Sequence, residues 1–343
     1  MSIRLLENQF LKDLTSKFDH SPNQINNLFE SDSELVRLNN GQIIAITTDN
    51  ISEEIETGLY HDPYLQGWMS AIVSLSDLAA VGSNPLGILS TLQVPQNIPN
   101  SYLESIQSGI SDACTAHNTF VLGGDTNYCR EIVIGSTALG IINDKRIMSR
   151  KGCKTGDILF TSGRLGSGGA LGIETLLNKG KEDLFDYKPF ARLDEGEVVR
   201  TFGGSCIDTS DGFFPAISNL MEINGIGFQV TSNVKNLVLS KAADLANLNQ
   251  IPLWFLLAGP HGEFELLFTI PKKNISEFLK AAERINWAPL NIGHVITEQK
   301  LYFINGEHNS EIDPFIISNL FSECNGDINI YLKELYNVQT DLK

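Results

Sequence analysis

Basic residues are scarce in this sequence and long apolar runs are missing. Lysine and arginine number 25 against 41 aspartates and glutamates, a formal net charge of −16 over 343 residues. Such a surface repels phosphate backbones and anionic membranes on average, so nucleic acid is a poor partner and a multivalent cation a good one. The longest uninterrupted apolar stretch, Leu253 to Ala258, falls far short of the ~20 residues that span a bilayer, so no membrane partner is expected. The first residues lack a continuous apolar core with a small-residue cleavage site. Leu5, Leu6, Phe10, Leu11 and Leu14 recur there at helical spacing instead, and an amphipathic helix in a cytoplasmic protein is expected. Cysteine is sparse too: Cys114, Cys129, Cys153, Cys206 and Cys324 form no CxxC pair and are odd in number, which supports neither a disulfide framework nor a zinc site. No GxxxxGK[ST], HExxH or GxSxG occurs, excluding the ordinary P-loop, a zincin and a nucleophile elbow. The six histidines are too dispersed for a triad, and His61 and His261 read as turn or surface residues. No fixed repeat period is visible, so a solenoid or propeller is not expected.

What is present is a packed chain. Apolar residues make up 42% and charged residues 19%, interspersed, and the length favours two domains of roughly 150 residues. Short β-branched runs alternate with helical patterns. Strands are expected at Ile43–Thr48, Gly87–Val94, Phe120–Leu122 and Ile132–Ile142, and helices at Gly67–Val81 and Ser101–His117. A basic, glycine-punctuated stretch from Met148 to Asp157 then feeds a new strand, Ile158–Thr161, placing the boundary near residue 147. The second half continues with helices at 168–178, 194–201, 213–224 and 275–284, and strands at 227–231, 265–270 and 292–296. From Asn305 to Lys343, Leu320, Phe321, Ile328, Tyr331, Leu332 and Leu335 suggest an added helical segment packing on the second domain. Periodicity alone leaves α+β and α/β both open.

Four times an apolar run ends in small or hydroxylated residues and then an aspartate. The segments are Ile43 to Asp49, Ala71 to Asp77, Phe120 to Asp125, and Cys206 to Gly212 with Asp208 and Asp211. Each aspartate taken singly is as readily a cap or turn former as a ligand. Together, carboxylates at the mouths of buried elements would make a hard-oxygen site, which suits Mg²⁺ completed by substrate phosphates. Gly163 to Ala170 follows a strand and opens a helix, so its amides could hold a phosphate, though it does not fit GxGxxG. Trp68 reads as a core residue.

In order, these segments resemble the superfamily of ATP-dependent enzymes related to aminoimidazole ribonucleotide synthetase, and within it the thiamine-monophosphate kinases. Thr47-Thr48-Asp49 with Glu53 resembles that family's Thr-Thr-Asp-(x)3-Glu. Gly67-Trp68 with Leu75-Ser76-Asp77-Leu78-Ala79-Ala80-Val81-Gly82 and Pro85 resembles its Gly-Trp and Leu-Ser-Asp-Ile-Ala-Ala-Met-Gly stretch. Gly123-Gly124-Asp125-Thr126 matches as it stands. Arg150…Gly156-Asp157, Pro189 with Arg192, Asp208-Thr209-Ser210-Asp211-Gly212 and Ile292-Gly293-His294-Val295 are similar to its later elements. The match runs from about residue 30 to 297. Selenophosphate synthetase needs an early reactive Cys with a Lys, and the hydrogenase-maturation relative a terminal Cys; neither is here. Four departures from that pattern stand out, with Met69 in place of its Lys and Ser74 in place of its Asn as two of them. Asp32-Ser33-Glu34-Leu35-Val36 stands for Asp-Asp-Ala-Ala-Val, and Pro260 to Glu265 replaces Gly-Gly-Glu-Asp-Tyr-Glu.

The resemblance implies an α+β, two-domain architecture (the PurM-like fold): an N-terminal ATP- and Mg²⁺-binding domain over 1–147 that dimerises through its sheet, a C-terminal α/β sandwich domain over 148–304, and an extension over 305–343. It implies Mg²⁺ held by Asp32, Asp49, Asp77, Asp125 and Asp211, with Thr48, Gly123, Gly124, Thr126 and Ser210 against ATP. Asp211 and Arg150 are then the catalytic pair, with Arg150 neutralising the transferring group. The implied activity is transfer of the γ-phosphoryl group of ATP to a small-molecule phosphate acceptor, thiamine monophosphate first, by a homodimer. An enzyme activating an amide oxygen and a non-catalytic ATP-binding regulator are the alternatives.

Overall fold

The computed structural model describes residues 3–143, 146–178, 185–305 and 308–338. Two mixed sheets organise the chain, as an α+β architecture requires. After helix α1 (Leu6–Thr15), β1 (Glu34–Arg37) and β2 (Ile43–Asn50) lead through α2 (Ser52–Glu56) into α3 (Pro63–Ala80); β3 (Asn84–Val94), α4 (Asn100–Ala116), β4 (Val121–Tyr128) and β5 (Val133–Ile142) follow. The five strands take the order β1-β2-β5-β3-β4, antiparallel except for the β3–β4 pair. Along β5, Ile134, Ser136, Ala138 and Ile142 alternate inward, the period of a sheet covered on one face. α3 and α4 supply that cover. They cross closely because a Cβ on Gly67 would stand 2.0 Å from the Ile106 carbonyl, and one on Gly109 2.1 Å from that of Tyr64. Asp62 starts α3, accepting hydrogen bonds from the amides of Tyr64 and Leu65 ahead of Pro63, an N-cap with proline at the first helical position.

The second sheet takes β6 (Ile158–Thr161), β7 (Cys206–Asp208), β8 (Gly227–Val230), β9 (Leu266–Ile270), β10 (Leu290–Ile296), β11 (Leu301–Asn305) and β12 (His308–Ile312) in the order β12-β11-β8-β10-β6-β9-β7. Its helices are α5 (Ser167–Asn178), α6 (Leu193–Phe202), α7 (Phe213–Asn224), α8 (Val234–Leu237), α9 (Ser240–Leu248), α10 (Ile275–Arg284), α11 (Pro314–Glu323) and α12 (Ile328–Asn337). Two placements differ from the sequence reading. The division at 304/305 passes through the β11–β12 hairpin, because β12 pairs with β11 as the edge of this sheet before α11 and α12 begin. Helix α1 belongs by packing to the second half of the chain: Asn8 donates to Asn219 and Glu222, and Arg4 pairs with Asp313 at 2.7 Å. The halves meet where α3 packs on α6, with Gly196 admitting the Ala79 carbonyl (a Cβ would lie 2.0 Å from it).

Candidate metal and phosphate site

Four segments deliver carboxylates to the seam between the sheets. β2 carries Thr47 and Asp49 on the face that α3 covers, the last turn of α3 carries Ser76 and Asp77, β7 ends at Asp208, and the loop before β1 brings Asp32. One carboxylate oxygen each from Asp32, Asp77 and Asp208 lies within 4.8 Å of the other two. Asp77 accepts from the Thr47 hydroxyl at 2.5 Å, and Asp208 from the Ser76 hydroxyl at 2.5 Å and the Ser210 hydroxyl at 2.9 Å. Arg150 donates to Asp32 Oδ1 at 3.0 Å. The Asp32 side chain has 0% exposure, yet among the described residues its Oδ2 has no partner, and neither does Arg150 Nε.

Helix capping does not explain these aspartates. Asp77 stands at the C-terminal end of α3, where the helix dipole disfavours a carboxylate. Asp211 is not the cap of α7 either; Gly212 is, at φ 87° and with no side-chain bond.

Electrostatically the cluster is under tension. Burial raises the Asp49 carboxyl to about 6, and Asp32 adds to the rise, while a hydrogen bond with Asp77 counters it. Asp77 is pushed well above the ordinary range by burial and then by Asp49, Asp208 and Asp32. Asp208 reaches about 6 through burial and Asp32. Asp211 is raised by the protein packed around it and by Glu7 on α1 and Asp208, but its surface is exposed, so water offsets part of that effect. For Arg150, burial pulls downward and the Asp32, Asp77 and Asp208 carboxylates outweigh it, holding the guanidinium more basic than usual. Carboxyls this close share protons unless a cation replaces them. An all-oxygen donor set with one orphaned, buried carboxylate oxygen fits a hard divalent cation such as Mg²⁺ and offers no soft ligand.

Not all the expected residues converge. β4 runs on through Gly123, Gly124, Asp125 and Thr126 to Tyr128, so Asp125 lies mid-strand and not at a strand mouth; its carboxylate is exposed and accepts from Asn127 at 2.6 Å. Register puts it in the row of Thr91, Gly135 and Asn50, one row on from Asp49 and so on the opposite pleat. Three inter-strand steps separate the two, about 14 Å. Thr48 is likewise on the outward pleat, bonded to Ser136 O and Thr137. Within the Gly163–Ala170 loop two amides are taken up by the protein itself: Leu165 N donates to Leu237 O at 2.8 Å and Gly166 N to Glu263 Oε2 at 2.6 Å. Sequence reasoning did not find Ser76, Thr47 and Glu7 as site residues. Asp208 follows the Cys206-Ile207 run directly, without the small or hydroxylated residues that precede the other aspartates, and it is the structure that adds it to the cluster.

A second buried group lies beside the cluster. His261 is not a surface residue. It is 9% exposed and meets the hydroxyl of buried Tyr60 through Nε2 at 3.0 Å, with Tyr187 against both. Burial lowers the His261 imidazole to about 3, so it is neutral. Next to it burial raises Glu263 to about 8, and its Oε1 has no partner among the described residues. Trp68 is core, its indole donating to Pro189 O at 2.8 Å. The five thiols are unpaired, with only Cys129 exposed.

The model of the AIR synthase related protein, N-terminal domain, matches residues 30–142. The thiamine-monophosphate kinase of Methanospirillum hungatei is 31% identical over 233 residues, 68% of this chain and 77% of that protein. Its counterpart in Aquifex aeolicus is 28% identical over 252 residues, 70% of this chain and 80% of that protein. Among solved structures, AaThiL complexed with AMPPCP and TMP superposes with a TM-score of 0.72 at 25% identity, covering 88% of this chain and 96% of that one.

Proposed function

The chain belongs to the thiamine-monophosphate kinase family, and from that premise we propose that it transfers the γ-phosphoryl group of ATP to thiamine monophosphate in a Mg²⁺-dependent reaction. The observation that carries the reading is the buried group of Asp32, Asp77 and Asp208 with its orphaned oxygen, at the seam where a phosphate-bearing ligand can reach it. AaThiL complexed with AMPPCP and TMP supports ATP as phosphoryl donor and the thiamine ester as acceptor.

In our reading Asp32, Asp77 and Asp208 hold Mg²⁺, with Asp49 and Asp211 extending the set toward a second ion. When bound, Mg²⁺ supplies charge neutralisation for the β- and γ-phosphates. Thr47 and Ser76 each occupy one carboxylate oxygen, which fixes the direction the other faces. Arg150 is anchored by Asp32 and by its backbone bond to Glu30 O at 2.8 Å, and its unpartnered Nε is the donor we assign to the transferring group. The acceptor phosphate oxygen attacks the γ-phosphorus, the bond to the β,γ-bridging oxygen breaks, and ADP leaves. The acceptor is already anionic, so no protein nucleophile or general base is required. Positioning and electrostatics carry the catalysis. Ser210, held on Asp208, completes the phosphate side.

A homodimer through the N-terminal domains is part of the proposal. β4 is an unpaired sheet edge with Phe120 70%, Val121 47% and Leu122 56% exposed, and Leu89 on β3 beside it is 40% exposed. Unblocked apolar edges of this kind ordinarily pair. We assign Gly123, Gly124, Asp125 and Thr126 to the nucleotide site as the dimer completes it, and not to the ions of the cluster. No helix among the described residues is long and apolar enough to cross a membrane; a cytoplasmic location is proposed, in keeping with the free thiols. Incubating the protein with Mg²⁺, ATP and thiamine monophosphate while following ADP tests the reading: thiamine-ester-dependent ADP release supports it, and none refutes it.

A further inference from the structure

The two halves of the acidic cluster come from different parts of the fold, and like charges push them apart. Asp49 and Asp77 stand on β2 and α3, and Asp208 and Asp211 flank the end of β7. One continuous path of contacts joins them away from the carboxylates themselves. On the first side, Tyr60 is tied by its amide to Glu54 O on α2 at 3.0 Å and by its carbonyl to Gln66 on α3 at 2.8 Å. Its hydroxyl crosses to His261 Nε2 at 3.0 Å. On the other side, Gly262 donates to Ser210 O at 2.7 Å and accepts from the Tyr187 hydroxyl at 2.8 Å. It packs so tightly on the Asp208–Asp211 loop that a Cβ there would stand 1.6 Å from Thr209 O. Thr209 is stitched to the same segment, its amide to Glu265 O at 2.8 Å and its hydroxyl to Glu265 N at 3.1 Å.

We propose that Tyr60 and His261 are a positioning pair: their hydrogen bond fixes the spacing between the Asp49–Asp77 and Asp208–Asp211 halves of the site and so sets its affinity for divalent cation. This rests on the reading of the cluster as a metal site. The geometry favours such a role because the bond is buried, joins two separate segments, and ends on a loop with no slack against the backbone between the two aspartates. A shift at His261 therefore passes directly to Thr209 and Ser210. Neither residue touches the reacting atoms.

Mn²⁺ is the probe, titrated by electron paramagnetic resonance into the full-length protein with AMPPCP present, so the readout does not depend on turnover. Tyr60→Phe keeps the ring and removes the hydroxyl; Tyr331→Phe removes an equally buried hydroxyl bond, to Ala258 O at 2.7 Å, outside this path. Both variants should melt a few degrees below wild type. Only Tyr60→Phe should weaken Mn²⁺ binding, by about tenfold, and His261→Gln should retain more affinity than His261→Ala. Unchanged Mn²⁺ affinity in Tyr60→Phe, or equal loss in Tyr331→Phe, would overturn the positioning role while leaving the metal site standing. If wild type bound no Mn²⁺, the metal-site reading and the pair would fall together.

Discussion

At the scale of single residues, the energetic cost of the site and its chemistry are the same fact. Asp77 has burial, three neighbouring carboxylates and a helix C-terminus against it, so its ionised form needs a compensating cation. Asp77→Asn should reduce Mg²⁺-dependent ADP release on the order of 100-fold or more with an unchanged or higher Tm, measured by coupled assay and thermal melt. Asp208 makes the electrostatics separable. Its carboxyl sits at about 6 in the fold against an ordinary 3.8, so the folded protein binds this proton more tightly than the unfolded chain. Stability from this group is therefore lost as pH rises from about 4 through about 6. In EDTA, Asp208→Asn should raise Tm at about pH 7.5 and not at about pH 4; an equal shift at both would contradict the charge-repulsion account. Arg150→Ala leaves Asp32 buried and unpaired and should cost about 3 kcal/mol by denaturant titration. Aspartates at element ends were legible in the sequence because that pattern is local. Burial of His261 was not, since its partner Tyr60 lies 201 residues away.

At the scale of elements, length decided what could be read. α3, α4, β2, β5 and α7 stand within a few residues of where periodicity puts them. β1, with 4 residues, and β7, with 3, carry too little pattern to see, yet they flank Asp32 and end on Asp208. The sequence pattern ends β4 at Leu122, where Gly123 and Gly124 interrupt the apolar run. Pairing with β3 carries the strand through them, a tertiary override of local propensity. That override places Asp125 mid-strand, away from the carboxylates of the cluster within this chain. The α3–α4 crossing makes an element-level prediction: Gly67→Ala places a methyl on the Ile106 carbonyl, and the overpacking should lower stability by about 1–3 kcal/mol in urea. Activity measured well below the melt should survive in part, since Asp77 lies almost three turns further along α3.

At the scale of the whole molecule, the acidic composition acquires a location in only a handful of its carboxylates; the rest cover the surface. The open β4 edge is the other feature of the whole molecule. Sedimentation should find a dimer for the wild type, and Leu89→Arg with Val121→Arg should yield monomers with lowered activity; an active monomeric wild type would remove the edge from the account. The central claim is tested most directly by identifying the product. With Mg²⁺, ATP and thiamine monophosphate, chromatography with mass detection should show thiamine diphosphate forming one for one with ADP, and neither forming in EDTA. Nucleotide binding with no thiamine diphosphate at any Mg²⁺ concentration would contradict it.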